Sequence, residues 1–479
     1  MNISLPKVKI KILVVILSLI STFSAAIMVS GIKILSNDLN PFILAFYRCF
    51  FGVIIIFPFL FLQKFKYLKT QNIKLQFLRC SINLYSMISW FIAIGTLQLE
   101  KAGAIGFTTS RTVFHKTSKG ELVPSFDAAG NELIQIAREI GKTGKGVLQL
   151  VSDFLGGYEE FKMLEKMVEA SGCPISITLA QTDGTKYDYK DLLGWIEDAA
   201  NRGLPVRAQA CGRPIGLMLG LNLTLNPFSG HPSYIEISDL PLEERVSIMR
   251  NEDFKKKILS EEGSSSNGLV KSIIRNIDNI YVLDKIPDYE PHKETSLGSK
   301  AKKLNREIND YIYDVLLEDD GNSLLYYPIG NYLDYSLEAS LEMISSDHTL
   351  LGLGDGGAHC ATICDASFTT HMLTFWGRDR VRGKKLDLPW IIKSYSRDNA
   401  LAIGLDDRGL IKEGMKADIN IIDFDNLTLY SPEIRYDLPA GGKRLVQRVD
   451  GYKYTIVSGK VTYKDGVSTG ELPGKLIRS

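Results

Sequence analysis

Cysteine is sparse in these 479 residues, and its six positions (Cys49, Cys80, Cys173, Cys211, Cys360, Cys364) show no paired spacing. That excludes a disulfide-stapled extracellular scaffold and points to a reducing compartment for the enzyme-like part of the chain. Histidine is equally scarce, with His115, His231, His292, His348, His359 and His371 as the full set. No two lie at i, i+2 or i, i+4, so no single strand or helix supplies a ready pair of metal ligands. A formal net charge of +1 leaves no electrostatic footprint for nucleic acid. Low-complexity segments and short internal repeats are absent.

What is present is unevenly distributed. Residues 1–100 carry ten Lys/Arg against only Asp38 and Glu100, a net of +8. The other 379 residues carry 46 basic and 53 acidic side chains, a net of −7. Two differently built pieces are joined, and the length suits two or three domains. Residues 12–31 form an uncharged apolar run of 20, long enough to cross a bilayer. A second run spans Pro41–Leu62, interrupted by Arg48, and a third runs from Cys80 to Leu97. The first run is too long for a signal peptide, lacks a small-residue cleavage site, and is followed by two more apolar segments. Five basic residues in the 64–79 loop and three before Ile12 place that loop and the N-terminus in the cytoplasm. Three crossings then put the rest of the chain on the opposite face.

From Gly103 short β-type runs alternate with amphipathic helical stretches. The candidate strands are Ala104–Thr109, Gly146–Val151, Ile175–Ala180, Val206–Ala210, Ile280–Leu283 and Thr349–Leu353. Between them, Leu133, Ile136, Ala137 and Ile140 mark one face of a helix over Glu132–Ile140, and Tyr158–Ala170 and Tyr189–Asn201 read likewise. Strands separated by helices predict a parallel sheet with right-handed crossovers. Six such units are present where a closed barrel needs eight. After about Leu405, glycines punctuate short alternating runs (Ala417–Phe424, Tyr452–Ser458, Lys460–Tyr463), and Ser458-Gly459-Lys460 reads as a hairpin turn in a small antiparallel β domain.

The stretch Leu351–His359 draws attention as a site. An apolar run ends in a glycine-rich turn that presents Asp355, with His359 four residues on. A carboxylate on the loop after a barrel strand can take a proton from water or hold a metal. The competing reading is that Asp355 caps the next helix or closes a turn, and that His359 packs beneath the loop.

Residues from Gly106 onward resemble the amidohydrolase superfamily, in its N-acyl-D-amino-acid deacylase (D-aminoacylase) branch. The resemblance rests on Gly106-Phe107-Thr108-Thr109-Ser110-Arg111, on Pro205–Leu221 with Gly212-Arg213-Pro214, and on Asn226-Pro227-Phe228 through His231-Pro232-Ser233-Tyr234. It continues through Gly354–His359, Trp376–Arg380, Arg408-Gly409, Gly414–Asp418 and Leu438-Pro439-Ala440-Gly441-Gly442. It implies a metal-assisted barrel with a β-sandwich, zinc as cofactor, and amide hydrolysis of a small N-acyl amino acid, with Asp355 matching the proton-shuttling aspartate. Arg111, Arg213 and Arg378 are then candidates to clamp the substrate carboxylate with paired hydrogen bonds. His359 and His231 are the remaining metal-ligand candidates. The departures are that no His-x-His strand begins the barrel, the N-terminal half of the sandwich is missing, and Gln209 stands where relatives place a ligand histidine.

The N-terminal piece resembles the start of an EamA-type drug/metabolite transporter repeat, through Ala25–Gly31, Asn40-Pro41-Phe42, Phe46-Tyr47-Arg48 and Leu84–Ala104. That family has five helices per repeat. Three are present here, with the beginning of a fourth at Ala102–Thr109, a stretch that also suits a barrel strand and is expected to be one. The fold class expected is therefore α/β: an incomplete (β/α) barrel over residues 103–404 with a partial C-terminal β-sandwich over 405–479, preceded by three transmembrane helices within 1–102. Three functional readings follow. The first is a C–N hydrolase tethered to the lipid bilayer as a multi-pass protein of the bacterial inner membrane. The others are a carrier fragment with a passenger domain and a hybrid without activity.

Overall fold

The computed structural model describes residues 106–117, 120–183, 186–265, 267–354 and 361–475. The three apolar runs at 12–31, 41–62 and 80–97 lie outside the described residues. Among those described, no helix is long and apolar enough to cross a membrane.

The described chain begins with three strand–helix units and a fourth strand. Strand β1 (Gly106–Arg111) is followed by helix α1 (Gly130–Gly141), β2 (Val147–Ser152), α2 (Tyr158–Ser171), β3 (Ile175–Thr178), α3 (Tyr189–Asn201) and β4 (Val206–Ala210). The contested stretch after Ala102 is thus strand from Gly106. Each helix buries residues three or four apart, such as Leu133 and Ala137 of α1, Phe161, Leu164 and Val168 of α2, and Leu192, Ile196 and Ala199 of α3. Helix α2 ends at Gly172, whose φ of 69° gives the left-handed cap that favours glycine. Helix α3 starts at a capping box, with Asp188 accepting from the Lys190 and Asp191 amides and the Asp191 carboxylate accepting from the Asp188 amide. Asp188→Ala is expected to lower stability by about 1 kcal/mol, read from the urea midpoint.

The chain then leaves the sheet for an insertion holding β5 (Ile215–Leu219), β6 (Tyr281–Val282) and β7 (Leu325–Gly330), before β8 (Thr349–Leu351) returns. The parallel sheet has the order β1-β2-β3-β4-β8, with Gly106 beside Val147, Leu148 beside Ile175, Ile175 beside Val206 and Ala208 beside Thr349. Of the six strands expected in the barrel, Ile280–Leu283 is the exception. Only Tyr281–Val282 forms a strand there, and it pairs antiparallel with β7 in a separate sheet of order β5-β7-β6. Ile280 and Val282 pack in the insertion's own apolar core, among the helices Gly268–Arg275, Leu297–Lys303 and Ile308–Leu317, and not in the core beneath the parallel sheet.

The two faces of the parallel sheet differ. Leu148, Leu150, Ile175, Ile177, Val206, Ala208 and Ala210 are buried against the helices. The other face carries Thr108 bonded to Gln149, Gln209 donating to the Ser176 hydroxyl at 2.8 Å, and an exposed Arg207. A closed barrel fills that side with layers of branched apolar side chains. Among the described residues no strand pairs with the outer edge of β1 or β8. Side chains cap those edges instead: Ser125 Oγ donates to the Ser110 carbonyl (2.7 Å) and Asn399 Nδ2 to the Leu351 carbonyl (2.8 Å).

The C-terminal strands are β9 (Ile419–Ile422), β10 (Thr428–Leu438), β11 (Gly442–Asp450), β12 (Tyr452–Val457), β13 (Lys460–Lys464) and β14 (Val467–Ser468). They form a β10–β11 hairpin and a sheet of order β14-β13-β12-β9. Ser458 and Gly459 turn the β12–β13 hairpin with φ of 50° and 79°, the paired positive values of a tight two-residue turn. Leu429 and Leu445 of the long hairpin pack on Met218, Tyr289 and Tyr326. Ile422, Phe424 and Tyr452 pack on the main core that contains Trp376.

Candidate functional site

The carboxyl ends of the parallel strands gather two groups of partly and fully buried polar side chains. At the end of β1, Arg111 donates from Nε to Glu160 Oε1 (2.9 Å) and from Nη1 to the Ala128 carbonyl (2.6 Å). Glu160 also accepts from Ser152 Oγ (2.6 Å) and from the Gly156 amide (3.2 Å). Beside it, Asp153 accepts from Thr112 Oγ1 (2.7 Å) and the Val113 amide (2.8 Å). Both carboxylates are thus engaged in tying the β1 and β2 loops together.

Beyond β4 the chain turns through Cys211-Gly212-Arg213. Arg213 is 3% exposed and donates to Asp365 Oδ1 (2.6 Å), the Cys364 carbonyl (2.8 Å) and Ser367 Oγ (3.2 Å). Its guanidinium lies between the rings of Tyr289 and Phe368, at 4.2 and 4.3 Å from their centroids. Cys211 Sγ contacts the Arg213 carbonyl at 3.2 Å, and Asn331 Nδ2 donates to it at 3.4 Å. Burial pushes this thiol up to about 12, so it stays neutral at physiological pH. His371 bonds the Gly212 backbone, stacks on Phe375 and meets the Tyr289 ring edge-on. Burial, reinforced by the Arg213 charge, holds its imidazole well below 6.5.

Strand β8 leads into the glycine-rich turn. Leu353 adopts φ 64°, a left-handed conformation that a branched side chain rarely takes and that clusters at functional positions. A Cβ on Gly354 would sit 3.2 Å from the Asp365 carbonyl, so the turn presses close to the Arg213 partner. Asp355 and His359 lie outside the described residues.

The other candidates have different surroundings. Arg378 donates to the carbonyls of Phe424, Asp425 (3.1 Å) and Leu427 (2.8 Å), pinning its helix to the link between β9 and β10. His231 precedes the helix Pro232–Ile237, with Phe228 5.0 Å away ring to ring, and burial lowers its pKa. No described contact joins Arg111, Arg213, His231 and Arg378 to one another. Asp365, Tyr289, Asn331 and His371, which organise the β4 mouth, carry no motif that singles them out. Asp365, Asn331 and His371 signal only as polar residues among apolar neighbours, and Tyr289, in the charged stretch Lys285–Glu294, gives no signal at all.

Comparison with known proteins adds the family. The profile described as the amidohydrolase family matches residues 99–463, about three quarters of the chain. The chain belongs to the amidohydrolase family. The profile of the EamA-like transporter family matches residues 12–113, so the two matches overlap across β1 and the residues before it. No curated protein matches the amidohydrolase chain. Three solved structures of D-aminoacylase resemble it, one described as defining a novel subset of amidohydrolases, one a mutant in complex with copper chloride, and one a study of the binuclear metal centre. They show 16, 15 and 17% identity, each with a TM-score of 0.42. The chain spans 62% of the length of each, and each match covers 78% of this chain.

The metal that an amidohydrolase implies can be tested against the donors present. Among the described residues no three His, Cys, Asp or Glu side chains converge to hold an ion. Gln209 on β4 offers only a neutral amide oxygen, a poor ligand for zinc, Cys211 is a neutral thiol, and Asp153 and Glu160 serve the loops. A zinc site needs deprotonated thiolate, neutral imidazole or carboxylate ligands in a tetrahedral set. The described strand ends do not fit one.

Proposed function

We propose that this amidohydrolase is a membrane-tethered relative of the N-acyl-D-amino-acid deacylases whose truncated barrel does not turn over substrate by itself. The reaction class is hydrolysis of the C–N amide bond of a small N-acyl amino acid. Asp355 stands at the position of the family's proton-transfer aspartate, an ancestral role in a chain without turnover of its own, and the strand ends are the mouth it faces in that reading. The observation that carries this reading is the chemistry of the parallel sheet's non-helical face. Amide and hydroxyl groups bonded to one another, with Arg207 exposed, occupy the side that a complete barrel packs. The buried Arg213–Asp365 pair points the same way, because a guanidinium committed to a buried carboxylate and two rings is not offered to a substrate carboxylate. Arg111, 20% exposed at its side chain, is the clamp candidate at a strand end that still meets solvent, whereas Arg213 is 3% exposed and Arg378, at 27%, pins its helix to the C-terminal strands. The match to EamA-like transporters supports the membrane tether, and the bacterial inner membrane is the location proposed for it.

The test is release of free D-amino acid from an N-acyl derivative by the full chain, with and without added zinc or a chelator. No release above the blank is expected, and Asp355→Asn is expected to leave that baseline unchanged. Zinc-dependent turnover that Asp355→Asn abolishes would refute the loss of activity while establishing the reaction class. Metal analysis of the purified chain is expected to find well under one equivalent of zinc. The EamA match also favours a second reading, a carrier fragment with a passenger domain. Accumulation of a small metabolite in vesicles bearing the full chain would establish that reading instead.

A further inference from the structure

Two cations converge away from the strand ends, where the chain turns at Leu221 and Asn222 after β5. Arg245, on the helix Leu242–Met249, is 8% exposed. It donates from Nη1 to the Leu221 carbonyl (2.7 Å) and the Tyr234 hydroxyl (2.9 Å). Lys443, near the start of β11, donates from Nζ to the carbonyl of the next residue, Asn222, at 3.1 Å. The two acceptors belong to adjacent residues, and the Arg245 charge bears directly on the Lys443 ammonium, so both charged heads lie at one turn. Neither has a carboxylate partner among the described residues. Tyr436 closes the same turn by donating to Asn222 Oδ1 at 2.9 Å.

Burying an arginine without a counter-charge is costly, and a second cation beside it adds repulsion. Burial, with the Arg245 charge next, pushes the Lys443 ammonium below the usual lysine range. Both Arg245 hydrogen bonds leave from Nη1. Its Nε is buried and has no protein acceptor. Nε and Nη2 make up the guanidinium edge that grips a carboxylate or phosphate with two parallel bonds.

We propose that Arg245 and Lys443 form a binding site for an oxyanion, a phosphate or carboxylate group, between the insertion and the β10–β11 hairpin. Arg245 supplies the planar two-donor edge and Lys443 the point charge, while Tyr234 and the Leu221 carbonyl fix the orientation of the guanidinium. The site is independent of whether the chain hydrolyses amides.

The test is thermal melting of the full chain titrated with inorganic phosphate and, separately, with acetate, against sodium chloride at matched ionic strength. A saturable rise in melting temperature is expected in wild type. A response to phosphate alone assigns a phosphate group, and a response to acetate assigns a carboxylate. Lys443→Met is expected to weaken the apparent affinity about tenfold. Arg245→Lys, which keeps the charge but loses the parallel donors, is expected to weaken it comparably. No response beyond that to chloride, or titrations unchanged in both variants, would overturn the site. Should one variant fail to fold, the other decides.

Discussion

Glu290→Gln is expected to destabilise the fold by about 3–5 kcal/mol, read as a fall in the urea midpoint without a change in slope. Glu290 and Arg380 form a buried ion pair whose side chains are 2% and 0% exposed. Arg380 donates from Nε and Nη2 to the two carboxylate oxygens at 3.1 and 2.9 Å, and its guanidinium lies 4.3 Å over the Trp376 ring. The same carboxylate accepts from the Leu337 amide at 2.8 Å. Glutamine keeps the shape but turns one acceptor into a donor facing a cation. The buried guanidinium then keeps the Lys384 carbonyl (2.9 Å) and, as its one counter-charge among the described residues, Glu338, which is 59% exposed and correspondingly screened. The loss comes from the charge left behind rather than from the intrinsic worth of the pair. Removing both partners, as in Glu290→Leu with Arg380→Met, is therefore expected to restore much of what either single change loses. A Glu290→Gln variant within about 1 kcal/mol of wild type would show that the site relaxes or admits water.

The parts of this molecule that could be read from its sequence are those where one side of an element is apolar. Helices α1 to α3 and strands β1 to β4 follow from the spacing of residues such as Leu133 and Ala137, or Leu148 and Leu150, because one face meets the core and the other meets water. Strands β5 and β7 escaped that reading for the opposite reason. Gly216 to Leu219 and Leu325 to Pro328 are buried throughout, so their sequences show no alternation. Strand β10 was hidden by Pro432, which sits at a register shift in the β10–β11 ladder where a missing amide does little harm. At the strand ends, the positions of Arg111 and Arg213 follow from the strands that precede them. The partners of Arg213 do not, since Tyr289 and Asp365 approach from 76 and 152 residues away in sequence. Chemistry assembled from such distant segments leaves no local motif.

Stability is expected to fall by about 1.4 kcal/mol for each pH unit below about 6.5, with His371 as a principal source. Its imidazole is held well below 6.5 by burial and by the Arg213 charge, and its Nε2 is buried without a hydrogen-bond partner. Below 6.5 the unfolded chain binds a proton at this residue that the folded chain refuses. The stability present above that pH is therefore lost as the pH drops toward the folded-state value. The groups facing the ring do not offset this: Arg213 repels the charged form, while Tyr289 and Phe375 supply aromatic contacts in place of a carboxylate. His231, also lowered by burial, adds a smaller limb because Glu261 favours its charged form. Carboxylates held low by their partners, such as Asp310 beside Lys255 and Arg306, act only below about 3.8 and leave the window from 6.5 to 5 clear. His371→Phe keeps an aromatic ring against Phe375 and removes the titrating group, so its unfolding free energy is expected to be markedly flatter across that window. An unchanged slope in His371→Phe would assign the acid sensitivity elsewhere, and a flat wild-type profile would mean that this imidazole charges freely in the folded protein.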